Sequence, residues 1–218
     1  MITICLVNET ISDSDLKVHA SAVSYFAPFV TKAWKLPAVK ITADTKPQAG
    51  AWNVFITERN RKPGARGFHT VEGGLPVAYC SPKAAYKPFG AYFAGLIVKG
   101  KRVTPERVRE GLITVLCHEI AEMLCDPKID TVSAVDSKGR AWLVEVCDHV
   151  FGQYLIYTEP VSSTVCVLPD VTTASFYDLK GKAPYSIKAS ALPGSPFTLT
   201  PQGYGYYKDA TGKLIKIV

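Results

Sequence analysis

The chain has 218 residues, 47% of them apolar, and a formal charge of +6 at neutral pH. That composition supplies a full hydrophobic core and excludes extensive disorder, and no apolar run reaches the ~20 residues needed to cross a bilayer. The excess basic charge sits in short pieces, Arg59-Asn60-Arg61-Lys62 and Lys99-Gly100-Lys101-Arg102, of the kind that solvated loops carry, so nucleic acid is not an expected partner.

Met1 to Val7 is apolar but has no basic residues ahead of it and is ended by Asn8-Glu9, so it reads as a first strand, Ile2 to Val7, and not as a secretory signal. Asp13 or Ser14 caps a helix running to about Trp34, with Val18, Ala22, Tyr25, Phe26, Phe29 and Val30 on one side and Pro28 expected to kink or divide it. Strands are expected at Ala38 to Ala43, at Ala51 to Thr57 and at Leu75 to Ser81. The basic, Gly-rich stretch from Glu58 to Gly74 shows no period and reads as a long loop. Residues 82 to 95, with Pro82, Pro88, Gly90 and Gly95, read as irregular and lead to a short strand at Leu96 to Val98.

Thr104-Pro105-Glu106-Arg107 has the form of a helix start, a Thr cap with Pro in the first helical position. Val108, Leu112, Val115, Leu116, Ile120, Met123 and Leu124 then repeat at three and four, giving a buried helix over 104–125 that Asp126-Pro127 ends. Beyond it the pattern turns to short strands: Thr131 to Val135 and Ala141 to Cys147 around a turn at Ser137-Lys138-Gly139, then Tyr154 to Tyr157 and Thr164 to Val167. Residues 168 to 203 are rich in Pro, Ser, Thr and Tyr and read as an extended, surface-hugging arm, followed by a terminal hairpin over 204–218. The fold class is α+β, with an α/β part over 1–130 and a β and loop part over 131–218. The six cysteines are scattered, with no C-x-x-C pair, and read as free thiols in a reducing compartment.

The central helix carries Cys117-His118-Glu119-Ile120-Ala121-Glu122-Met123-Leu124-Cys125-Asp126-Pro127. Residues four apart share a helix face, so His118 and Glu122 reach one cation, while Glu119 is turned about 100° and flanks it. In zinc peptidases that placement lets the middle Glu take a proton from a water whose pKa the metal has lowered. A third ligand is needed, and Glu145-Val146-Cys147-Asp148-His149 is the richest source, with Asp148 and Glu145 level and His149 next. Strand alternation would put Glu145 and Cys147 on one face and Val146 and Asp148 on the other. Asp126 is placed to cap the site or to brace the loop that follows. Set against this, His-Glu pairs are common on helices, and Glu122 could serve as an ion-pair partner of Arg109 or Lys128. Burying a His and two Glu among apolar flanks without partners, however, is costly.

On these residues the chain resembles zincin-like metallopeptidases, and more narrowly a group of bacterial and phage proteins with a His-Glu-x-x-Glu-Met-x-x-Asp-Pro helix, then Glu-Val-Cys-Asp, then a late aromatic-Gly-Tyr hairpin. The matching pieces are His118 to Pro127, Glu145 to Asp148 and Gly203-Tyr204 with its neighbours, all in the second half. The resemblance implies an N-terminal mixed sheet and a long active-site helix. It also implies His118 and Glu122 as metal ligands, Glu119 as general base, and an edge strand, here Gly73 to Tyr79, that takes substrate backbone by strand addition. Zn²⁺ is the implied cofactor, although Glu122 in place of the usual second His leaves calcium or manganese open. Met-turn metzincins are excluded, because Cys125 and Lys128 stand where that subclass needs Gly and His. The expected function is a metal-dependent peptidase or hydrolase acting on peptide or protein. The alternative is a catalytically inactive zincin-like structural or interaction protein, such as a phage virion component, that meets a neighbouring structural protein or forms an oligomer through the 168–203 arm. The expected location is the cytoplasm, or the virion if the chain is viral.

Overall fold

The structure, a computed structural model, describes residues 1–59, 62, 64–85, 97–98, 101–102, 108–109, 111–188, 195–209 and 211–218. Strand β1 (Ile2–Asn8) leads through Asn8, whose side chain closes the following turn, into helix α1 (Asp13–Trp34). Ser12 caps α1 by accepting from the Asp15 amide at 3.1 Å, and Asp13 and Asp15 put negative charge at the positive end of the helix. The helix continues as one element through Pro28. Its buried stripe is Leu16, His19, Ala22, Val23, Phe26, Ala27 and Val30, so the expected face is rotated: Tyr25 and Phe29 lie outside, with Tyr25 stacked on Tyr157 at 4.2 Å.

Strands β2 (Val39–Asp44), β3 (Trp52–Ile56), β4 (Gly67–Glu72) and β5 (Leu75–Cys80) join β1 in a sheet of order β2-β1-β3-β5-β4. The first four in that order run parallel, and β4 alone is antiparallel, at the edge. The expected loop over 58–74 therefore contains a strand. Its hairpin turn, Gly73-Gly74, has φ of 58° and 81°, the left-handed pair that a two-residue connection requires. Helix α2 (Pro82–Ala85) is one turn, and β6 (Ile97–Val98) pairs with β7 (Lys101–Arg102).

The central helix is shorter than expected. Val108–Arg109 is a strand, β8, and helix α3 spans Leu112–Cys125 after Gly111 at φ 84°; the expected start at Thr104 to Arg107 lies outside the described residues. Ten of its fourteen residues are buried, as a helix that is apolar nearly all round must be.

The remaining elements are β9 (Val132–Val135), β10 (Ala141–Leu143), a 3₁₀ turn at Asp148–Val150, β11 (Tyr154–Thr158), β12 (Val165–Pro169), a second 3₁₀ turn at Ala174–Tyr177, β13 (Gly205–Lys208) and β14 (Leu214–Ile217). The terminal hairpin β13–β14 forms as expected and extends a sheet of order β14-β13-β10-β9, while β12 lies between β11 and β8. Strand β10 stops at Leu143, four residues short of the expected Cys147.

One buried cluster joins the inner face of the first sheet (Ile4, Leu6, Val54, Ile56, Ala78) to α1, α3 and the C-terminal segments (Val146, Leu168, Val171, Phe176). Trp34 Nε1 donates to the Thr172 carbonyl at 2.7 Å, and Thr114 Oγ1 to that of Val167 at 2.7 Å, so both long helices are tied to the second half. The expected surface arm is thus partly core: Val171 and Phe176 are fully buried. The described residues hold no helix long and apolar enough to cross a membrane, and all six cysteines are free.

The β9–β10 turn shows how a polar group is held in this core. The Asp136 carboxylate accepts from the Lys138 and Arg140 amides at 2.8 and 2.9 Å, Arg140 Nε at 2.7 Å and Trp142 Nε1 at 2.9 Å, and Arg140 Nη2 lies 2.7 Å away. Burial disfavours its charge, but these donors outweigh burial and hold the carboxyl at about 2. A depressed carboxyl stabilises the fold above its unfolded pKa of ~3.9, and the contribution fades as pH falls from there through the folded value. Asp136→Asn is expected to cost about 2–3 kcal/mol at pH 7. In urea titrations the gap from wild type should shrink below pH 4; a gap independent of pH would rule out the charge as its source.

Candidate metal and catalytic site

Helix α3 presents His118 and Glu122 one turn apart, with His118 Nε2 3.1 Å from Glu122 Oε1. The chain returns to this face after β10. Val146 and Cys147 turn into the core, and the 3₁₀ turn brings Asp148 Oδ1 to 3.3 Å from His118 Nε2. Because the segment is not a strand, the expected alternation does not hold: Glu145 and Asp148 both border the same cavity. Asp148 is fixed by its backbone, since its carbonyl accepts from the Tyr204 amide at 3.0 Å and the Phe151 amide at 3.2 Å. Gly203 and Gly205 make that docking of the terminal hairpin possible. A Cβ on Gly203 would lie 2.2 Å from the His149 carbonyl oxygen, and one on Gly205 2.7 Å from His149 Nε2. Tyr204, between them, borders the cavity.

Glu119 faces β4. Its Oε2 is 3.3 Å from His69 Nδ1, and His69 Nδ1 is also 3.6 Å from Glu122 Oε2. Sequence reasoning missed His69, because the segment carrying it was read as loop. The available signal was Gly67-Phe68-His69-Thr70-Val71-Glu72 ahead of Gly73-Gly74 and the apolar run from Leu75, a hairpin pattern. The expected substrate-binding edge is corrected for the same reason: β5 lies inside the sheet, between β3 and β4, and the edge beside the cavity is β4.

His149 does not line the cavity. It is fully buried, its Nδ1 is 2.9 Å from the Tyr177 hydroxyl, its ring packs against Trp142 and Phe176, and burial lowers its pKa to about 4. Asp126 braces the loop after α3 by accepting from the Asp130 and Thr131 amides. Cys147 is buried, its thiol 3.8 Å from the His118 carbonyl oxygen, and burial pushes that thiol well up.

The cavity measures about 620 Å³ and is bordered by His69, His118, Glu119, Glu122, Glu145 and Asp148, with aromatic walls that include Phe151, Tyr154 and Tyr204. Burial opposes charge on both histidines, but the adjoining carboxylates outweigh it and raise His69 to about 9 and His118 well above its usual value. Burial raises Glu122, and raises Glu145 to about 9. A buried cluster of imidazoles and carboxylates without a cation holds protons. Among the described residues, the buried atoms His69 Nε2, Glu122 Oε1 and Asp148 Oδ1 have no aligned hydrogen-bond partner. Ligand atoms of His118, Glu122 and Cys147 lie within 4.8 Å of one another, as do those of His69, Glu122 and Glu145. Imidazole and carboxylate donors of this sort suit zinc or manganese, and the orphaned atoms fit a cation.

No protein-family model, curated protein or solved structure matches this chain.

Proposed function

We propose that the chain is a metal-dependent hydrolase, with a peptide or protein as its substrate class, built on a zincin-like arrangement. The observation that carries this reading is the convergence of His118, Glu122 and Asp148 on one cavity, with Glu122 Oε1 and Asp148 Oδ1 buried beside His118 Nε2 without an aligned hydrogen bond, and Glu119 alongside. A divalent cation held by those three side chains would acidify a water and polarise a scissile carbonyl. The protein's own groups supply the rest. Glu119 is off the line of the ligands and takes the proton of the attacking water. As the C–N bond breaks, it returns that proton to the leaving amine. Strand β4 offers the cavity an edge along which an extended peptide can add as a further antiparallel strand. The antiparallel edge strand beside a His-Glu helix supports the zincin-like reading.

The structural alternative, a virion or other interaction component, has less support, since Val171 and Phe176 of the arm are packed in the chain's own core. Elemental analysis after Zn²⁺ or Mn²⁺ loading tests the proposal. Wild type should retain the cation and melt at higher temperature with it, and His118→Ala should reduce retention. No retained cation and no thermal shift would favour the alternative.

A further inference from the structure

The two carboxylate oxygens of Glu122 face different histidines: Oε1 lies 3.1 Å from His118 Nε2, and Oε2 lies 3.6 Å from His69 Nδ1. Each histidine has a further carboxylate of its own. Asp148 Oδ1 is 3.3 Å from His118 Nε2, and Glu145 completes with His69 and Glu122 a set of ligand atoms within 4.8 Å of one another. His69 comes from β4, His118 and Glu122 from α3, and Glu145 and Asp148 from the segment after β10. We propose that the cavity binds two divalent cations bridged by Glu122, one on the His118 and Asp148 side and a second on the His69 and Glu145 side. The second site rests on the metal-dependent reading of the first.

Three observations support it. One is the ligand inventory: each position has an imidazole, a carboxylate of its own and one oxygen of a shared carboxylate. Carboxylate-bridged pairs, with cations ~3.5–4 Å apart, are built in this way. Another is charge. Glu119, Glu122, Glu145 and Asp148 bring four carboxylates to one cavity wall, a formal charge equal and opposite to that of two dications. The third is that, among the described residues, buried polar atoms on both sides lack an aligned hydrogen bond. Glu122 Oε1 and Asp148 Oδ1 lie at the first beside His118, on residues only 3% and 6% exposed, and on the other side His69 Nε2, the ring nitrogen not engaged by Glu119, has no hydrogen-bond partner among the described residues. A single ion among His118, Glu122 and Asp148 leaves His69 paired, among the described residues, only with Glu119 and Glu122. With a second cation the same cavity becomes a two-metal hydrolytic site, in which attacking and leaving atoms are served by different ions.

The test is a count. The full chain, freed of metal and titrated with Mn²⁺ or Zn²⁺, should bind two ions in calorimetry and retain two by elemental analysis. At two equivalents of Mn²⁺, electron paramagnetic resonance should show the exchange-coupled signal of a bridged pair. His69→Ala and, separately, Glu145→Gln should each reduce the count to one and remove the coupling, with folding verified by circular dichroism. Two variants on different elements ensure that a misfolded His69→Ala protein does not decide the result. One ion in wild type, unchanged in both variants, would overturn the second site and leave the first intact. Two ions without magnetic coupling would overturn the Glu122 bridge. No ion at all would overturn the metal-dependent reading itself.

Discussion

Glu119→Gln is expected to lower hydrolysis of an unfolded protein substrate by about 10²- to 10⁴-fold while leaving the bound metal in place. The two halves of that expectation have different origins. Glu119 is only 6% exposed and borders the cavity, but it points toward β4, where His69 Nδ1 lies 3.3 Å from its Oε2. On a helix it is turned away from the line joining His118 and Glu122, so the amide replacement changes no ligand of the first cation. What is lost is the ability to accept and return a proton, since Gln matches Glu in shape and hydrogen-bonding reach but does not titrate. Elemental analysis and casein or peptide hydrolysis on the same preparations give both readings. A variant that loses its metal would make Glu119 a ligand. A variant within tenfold of wild-type rate would remove it as the base.

Gly67→Ala is expected to destabilise the fold by about 1–3 kcal/mol and to disable the site by displacing β4. The residue does not need a left-handed conformation, so the effect is purely one of space. A methyl group there would sit 2.6 Å from Val115 Cγ1, 2.7 Å from Glu119 Oε1 and 3.0 Å from Glu119 Cγ. Both neighbours belong to α3, whose opposite side is packed in the core, so the edge strand is what gives way. Two residues along the strand, His69 moves with it and leaves Glu119 and Glu122. A shift of ~1 Å in such a constellation costs on the order of 10² in rate. Urea denaturation measures the stability loss, and hydrolysis assays and Mn²⁺ titration measure the site. Wild-type values in all three would mean that β4 takes up the methyl without moving, and that its close approach to α3 is not required.

The geometry of the helix side chains was legible in the sequence because it is local. His118 and Glu122 share a face through helical spacing alone, and Glu119 flanks them for the same reason. Helix α1, although capped by Ser12 and not by the expected Asp13 or Ser14, the strands β1, β2, β3 and β5, and the terminal hairpin were legible likewise, since each is defined by neighbours in the chain. The N-terminal end of α3 was not. Val108 fits the helical period, yet it and Arg109 pair with Val165 and Cys166, and a strand partner 57 residues away leaves no local trace.

What the sequence by itself determined is the α+β class, the central apolar helix and the shared face on it of His118 and Glu122, with Glu119 beside them. The tertiary structure alone decided which other side chains reach that pair. It brought in His69 from a segment that reads as loop, because an edge strand owes its form to the strand it pairs with. It placed Glu145 and Asp148 together, because β10 ends at Leu143 and a turn, not an alternating strand, carries them. It sent His149 into the core against Tyr177 and Trp142. Spacing along a helix fixes direction, but convergence from three separate elements depends on packing between residues far apart in the chain, which no local pattern encodes.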